Sequence, residues 1–168
     1  MTVLKIYKYP HPVLRAKCET VTNFEDPTFR QFVQDMEDTM YDCTGAVGLA
    51  SPQVGNPIRM VLIDVTASGD KTAKKFLVNP EIVQKSKNKN VREGCLSFPE
   101  YLANVKRAMK VTVVCQDEHG NNQEYQVEGL EAIAVQHELD HLDGVLMIDR
   151  VNSLKTDWIR RQGPSSQG

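Results

Sequence analysis

The sequence predicts an α+β fold: small antiparallel or mixed β-sheets packed around one central helix, with an N-terminal helix and a short C-terminal helix. Three observations carry this. Apolar residues recur at helical spacing in two well-separated stretches, after residue 26 and over residues 130–143. Between them lie short runs rich in β-branched residues, each closed by a polar or proline-containing turn. The chain has 168 residues, 40% of them hydrophobic, which is enough for one domain with a buried core.

Taken in order, residues 1–25 are irregular, and Tyr9-Pro10-His11-Pro12 is extended or turning because each proline restrains its predecessor. His11 is read as an exposed loop residue. Asp26-Pro27 begins a helix, with aspartate as N-cap and proline at the first helical position. Phe29, Phe32, Val33, Met36 and Met40 then form one apolar stripe, with Glu37 and Asp38 facing away, and the helix ends near residues 42–45. The small-residue segment 45–55 follows as a loop in which Gln53 is the one long polar side chain; no G-K-[ST] follows, so it is not a phosphate loop. Residues 59–65 form a buried strand and residues 66–74 a polar turn. Residues 75–78 are a short strand that Asn79-Pro80 breaks and residues 81–85 resume, and residues 85–90 are a basic, polar hairpin tip. Strands at 105–115 and 123–127 flank a turn containing His119. Gly129 precedes the central helix, residues 130–143. Residues 147–151 are a short extended piece, residues 153–161 a final amphipathic helix, and residues 163–168 a frayed polar tail.

Composition excludes several classes. A net charge of −2 gives no reason to expect nucleic-acid binding by the whole surface. No apolar run reaches the length of a membrane span, and the first residues lack signal or transit character, so the expected location is cytoplasmic. Cys18, Cys43, Cys95 and Cys115 are scattered without a C-x-x-C pair, which points to free thiols.

The chemistry concentrates in the central helix, where His137-Glu138-Leu139-Asp140-His141 completes an H-E-x-x-H pattern. Histidines four apart leave the same helix face, and in this pattern they hold a metal while the glutamate handles protons. The plainer alternative is a polar surface face with two satisfied histidines. A catalytic site needs a third protein ligand. A metzincin-like arrangement would put a histidine at position 147, which is Met147. A thermolysin-like one would use a downstream glutamate, and none follows Glu138. Upstream, Cys95 is the best placed by context, between Gly94 and Leu96.

Three segments, Gly48-Leu-Ala-Ser-Pro-Gln53, Glu93-Gly-Cys-Leu-Ser97 and Gln136 to His141, resemble in order and separation the three signature motifs of the peptide deformylases. The second and third match fully. The first departs from the family twice, with Ala46 where glycine is usual and Ser51 where alanine is usual. The resemblance implies one divalent metal ion held by Cys95, His137 and His141, ferrous iron by expectation, with zinc, nickel or cobalt possible in the same site. It implies hydrolysis of the formyl group from N-formylmethionyl peptides of nascent chains, with Glu138 as the acid and base. It places the Gln53 amide and the Leu96 backbone N–H at the formyl oxygen, and main-chain groups of Val47, Gly48 and Gly94 along the substrate. Leu130, Ile133 and Val47 are the expected walls for the methionine side chain. Two other readings stand beside this one: a different H-E-x-x-H metallopeptidase, and a non-catalytic, metal-stabilised module docking at the ribosome. Lys155, Arg160 and Arg161 leave room for transient ribosome contact, although a solvated helix face explains them more simply.

Overall fold

The computed structural model describes residues 1–66 and 73–162, and among them six strands form one antiparallel sheet. The elements run α1 (Pro27–Asp42), β1 (Gly48–Ala50), β2 (Met60–Ile63), β3 (Lys75–Cys95), β4 (Phe98–Gln116), β5 (Asn122–Glu128), α2 (Gly129–Leu142), α3 (Met147–Arg150) and β6 (Trp158–Arg160). The sheet order is β1-β2-β3-β4-β5, and β6 pairs with β4 on a separate stretch. The expected small sheets are thus a single sheet, and the expected α+β arrangement around α2 stands. The middle of the expected turn (67–72) and the expected tail (163–168) lie outside the described residues.

The two helices cover opposite faces of β2. Met60 and Leu62 pack with Phe29, Met36 and Met40 of α1, whereas Val61 and Ile63 pack with Ala132, Val135 and Leu139 of α2. A strand buried on both faces has no alternation, which is why it reads as a continuous apolar run. Asp26 Oδ1 accepts the Thr28 N–H at 2.8 Å, as an N-cap should. Glu37 does not face solvent as expected. It is buried and paired with Lys74 Nζ at 2.6 Å.

Several other local expectations fail. The segment 85–90 is not a hairpin tip but the middle of β3, with Lys85 opposite Val111 and Asn90 opposite Lys106. It bonds β4 along one edge only and its side chains are exposed, so its composition resembles a turn. The true tip is Leu96-Ser97, between the paired Cys95 and Phe98. The Asn79-Pro80 break is absorbed as a bulge between Val78 and Glu81. Asn79 adopts φ 50, a left-handed conformation that asparagine tolerates, and its amide bonds Val21 and Gln116.

A further failure is at the C-terminal end. The short helix lies at Met147–Arg150, where an extended piece was expected, and the expected helix 153–161 is a turn followed by β6. Asp157 closes that turn by donating its N–H to Ser153 O at 2.9 Å. Trp158 then stacks on Tyr101 and meets Phe98 edge-on, with ring centroids 4.9 and 5.1 Å away. The aromatic cluster fixes the segment as a strand. Earlier in the chain, residues 48–50, expected as loop, form the edge strand β1, pairing Gly48 with Ile63 and Ala50 with Val61. No helix among the described residues is long and apolar enough to cross a membrane.

Helix α2 is buried on nearly every side from Ala132 to Leu142, so it must satisfy its polar side chains internally. Gln136 does this against β4: its Nε2 donates to Ala108 O at 2.7 Å and its Oε1 accepts the Ala108 N–H at 3.0 Å. Replacing Gln136 by alanine leaves both Ala108 groups buried and unpaired, and should lower the unfolding free energy in urea by about 2–4 kcal/mol. A loss below about 0.5 kcal/mol would show that β4 is held by other contacts.

Candidate active site and metal centre

A cavity of about 500 Å³ opens where β1, the β3–β4 hairpin tip and the middle of α2 meet. Ala46, Val47 and Gly48 form one wall, Gly94, Cys95 and Leu96 another, and His137 and Glu138 the floor, with Gln53 and Arg161 completing it. The ligand atoms of Cys95, His137 and His141 all lie within 4.8 Å of one another, and the three residues are buried. Cys95 Sγ is 3.4 Å from His141 Nε2. One soft sulfur and two imidazole nitrogens at this separation form a donor set that suits a divalent transition metal. The sequence-expected ligands are therefore brought together.

A buried charge network orients the first histidine. Glu93 Oε1 accepts from His137 Nδ1 at 2.8 Å, which leaves Nε2 to ligate. Arg107 grips the same carboxylate with Nε at 2.6 Å and Nη2 at 3.0 Å. Its third nitrogen reaches Asp140 at 2.7 Å, and Arg150 closes on Asp140 from outside at 2.7 and 3.0 Å. Burial alone would push the Glu93 carboxyl up, but the bonds from His137 and Arg107 outweigh it and hold the group down at about 2. Burial likewise opposes charge on His137, yet Cys95 and Glu93 raise it well above its ordinary value. His141 is held well below its ordinary value by burial and by the neighbouring His137. A cation in place of the His137 proton answers the same attraction.

Glu138 lies beside the ligands but not among them. Burial pushes its carboxyl up to about 7, and its Oε2 is buried with no hydrogen-bond partner. Gly48 makes room for it: a Cβ there would stand 2.8 Å from Glu138 Cγ. Gln53 is fully buried, accepts the Ala50 N–H at 3.0 Å, and directs Nε2 to Ser97 Oγ at 3.1 Å and to Cys95 Sγ at 3.6 Å. The small-residue loop is thereby tied to the hairpin tip at the sulfur.

Of the expected substrate walls, Val47, Gly48 and Gly94 line the cavity. Ile133 and Leu130 share the His137 face but sit one and two turns before it and do not line the cavity; Leu130 is 54% exposed. The sequence reading missed Arg107, Asp140 and Arg150 altogether, and gave Glu93 no role of its own. One signal was there for Arg107: it falls on the same strand parity as the buried Val105, Val111 and Val113, where a charge needs a partner.

Comparison with known proteins agrees with this geometry. Residues 3–157 match the polypeptide deformylase family. The chain is 46% identical over 160 residues to a peptide deformylase of Brucella suis, covering 95% of this chain and 90% of that one. The crystal structure of a peptide deformylase from Legionella pneumophila superposes with a TM-score of 0.86 at 42% identity, covering 92% of this chain and 89% of the other. That of Thermotoga maritima does so with a TM-score of 0.82 at 37% identity, covering 91% and 100%. On sequence, fold and site together, this chain belongs to the peptide deformylase family.

Proposed function

We propose that the chain removes the formyl group from N-formylmethionine at the start of nascent polypeptides, releasing formate, with Cys95, His137 and His141 holding a divalent cation. The observation that carries this is Glu138: an unpartnered carboxyl in a cavity wall, raised to about 7, beside a three-donor metal cluster. Ferrous iron is the expected ion, and zinc, nickel or cobalt suit the same donors. When bound, the cation supplies Lewis acidity toward water and the formyl carbonyl.

The remaining chemistry belongs to the chain. Glu138 takes a proton from the attacking water and delivers it to the departing nitrogen, a task suited to a carboxyl that titrates near neutrality. Charge growing on the formyl oxygen is met by Gln53 Nε2 and the Leu96 N–H, each such donor being worth about 2.7–4 kcal/mol. Gln53 therefore has two duties, because the same amide ties the loop to Ser97. The peptide backbone adds as a strand between Val47-Gly48 and Gly94, a mode that reads any sequence. Val47 flanks the methionine chain. Ala46, where the family usually has glycine, adds a methyl to the cavity wall. Substrates of this kind go with a cytoplasmic setting and transient contact with ribosomes. Membership of the family disfavours both the metallopeptidase reading and the non-catalytic one.

Formate release from formyl-Met-Ala, after anaerobic purification and metal analysis, tests the proposal; no release by metal-replete protein would overturn it. Glu138→Ala should keep its metal and lose turnover by about 10²–10⁴-fold. Cys95→Ser should lose metal affinity in a chelator competition, and unchanged affinity would remove Cys95 from the ligand set. Glu93→Ala should weaken metal binding by about 10–100-fold through loss of His137 orientation.

Glu93 also predicts a pH dependence. Its carboxyl is depressed in the folded state, from 4.5 to about 2. The stability it contributes is complete above pH 4.5 and lost as pH falls toward about 2. The stability gap between the parent and Glu93→Gln should close across that window, read by urea unfolding at successive pH values.

A further inference from the structure

We propose that Arg161 is a specificity-determining residue whose guanidinium, laid across Gly94 at the cavity wall, binds a carboxylate carried by the residues that follow the formylated methionine. The inference rests on the deformylase reading of the site and names which peptides that site prefers.

The path of the chain brings Arg161 there. Strand β6 pairs Trp158 with Ala103 and Arg160 with Tyr101, and the next N–H, that of Arg161, donates to Glu100 O at 2.7 Å. The main chain is thus pinned beside the hairpin that carries Cys95. The side chain then lies over the hairpin backbone: a Cβ built on Gly94 would collide with Arg161 Nη2. Gly94 is not one of the glycines with positive φ, so backbone conformation does not require glycine here. What glycine provides here is room for the guanidinium to lie against the strand.

The charge is also uncommitted. Arg15, Arg59, Arg107 and Arg150 each close on an aspartate or glutamate. Among the described residues no ion pair or hydrogen bond engages the Arg161 guanidinium. An arginine held by its main chain, seated against a glycine in the wall of a cavity and lacking a counter-ion, presents its planar fork to whatever enters. A peptide added as a strand beside Gly94 passes under that fork with the residues just after its methionine. Main-chain contacts there are blind to sequence, so a cation tethered at the wall by its main chain is what gives the site a preference among side chains. Carboxylate is the group the fork fits in two parallel bonds.

The test compares kcat/KM for formate release from C-terminally amidated formyl-Met peptides carrying Glu or Lys at the second or third residue. Each variant is read as its own Glu-to-Lys ratio, so partial loss of metal or of folded protein cancels. The parent should favour Glu by about fivefold, the size of an exposed charge pair. Arg161→Ala should bring the ratio near one and Arg161→Glu should invert it, and added salt should erode the parent's preference. A second pair, formyl-Met-Ala-Ser as free acid and as amide, separates a side-chain carboxylate from a terminal one; a preference confined to this pair assigns the fork to the chain terminus. Ratios equal in the parent and in Arg161→Ala for every pair would overturn the inference while leaving the deformylase reading intact. No turnover of any formyl peptide would overturn that reading, and this inference with it.

Discussion

The ionised carboxylate of Glu93 is the constraint from which the site follows. It sits two residues before Cys95 at the end of β3, and it binds His137 on α2. One bond therefore sets the distance between the sulfur on the hairpin and the imidazoles on the helix. Arg107 keeps that carboxylate ionised out of water and extends the restraint to Asp140, one turn along α2. Arg150 carries it on to the segment after the helix. A buried ion pair of this kind adds little net stability when complete, but removing one partner strands a charge at about 3–5 kcal/mol. The network thus acts mainly to make one relative placement of hairpin and helix far better than its neighbours.

Close approach of backbone is the second constraint, and at the cavity glycine meets it twice. Gly48 lets the Glu138 side chain lie against β1, and Gly94 lets a guanidinium lie against β3. In both places the absent Cβ is a matter of space for a charged group. The loop after β1 then turns through Ser51–Val54 and sends Gln53 back to Ser97, so the cavity's walls are hydrogen-bonded to each other through a buried amide.

How much of this was legible depends on how local each signal is. The pairing of His137 with His141 needs only helical periodicity, and it was read correctly from residue types alone. Cys95 is far in sequence from either histidine; context made it the best candidate and resemblance to a family named it. Strand β1 was hidden because three residues, Gly48-Leu49-Ala50, are too few to show alternation. The middle of β3 looked like a turn because its own side chains are exposed along the edge of the sheet. Strand β6 looked like a helix because Leu154 and Trp158 are four apart, yet Leu154 is 62% exposed and only Trp158 finds a partner surface. Each of these is a tertiary contact overriding a local pattern, and so is the Glu93–Arg107 pair, whose members lie on separate strands.

The balance of charge explains why such a site suits a formylated amine. Glu93 and Asp140 are matched by Arg107 and Arg150, which leaves Cys95 and Glu138 as the acidic groups facing the cavity. A divalent cation held by a thiolate and two neutral imidazoles leaves one positive charge, and ionised Glu138 offsets it. The region around the three ligands is then close to neutral, with the Arg161 guanidinium left as a positive charge on the cavity wall. A formylated terminus is neutral as well, so it enters at the modest cost of desolvating an amide that the site can hydrogen-bond. A free amino terminus is a cation and meets a much larger desolvation cost in the same space. Hydrolysis turns the first into the second, so the chemistry itself converts a well-matched ligand into a poorly matched one. The buried charge pairs that hold the site together thereby also favour release of what it makes.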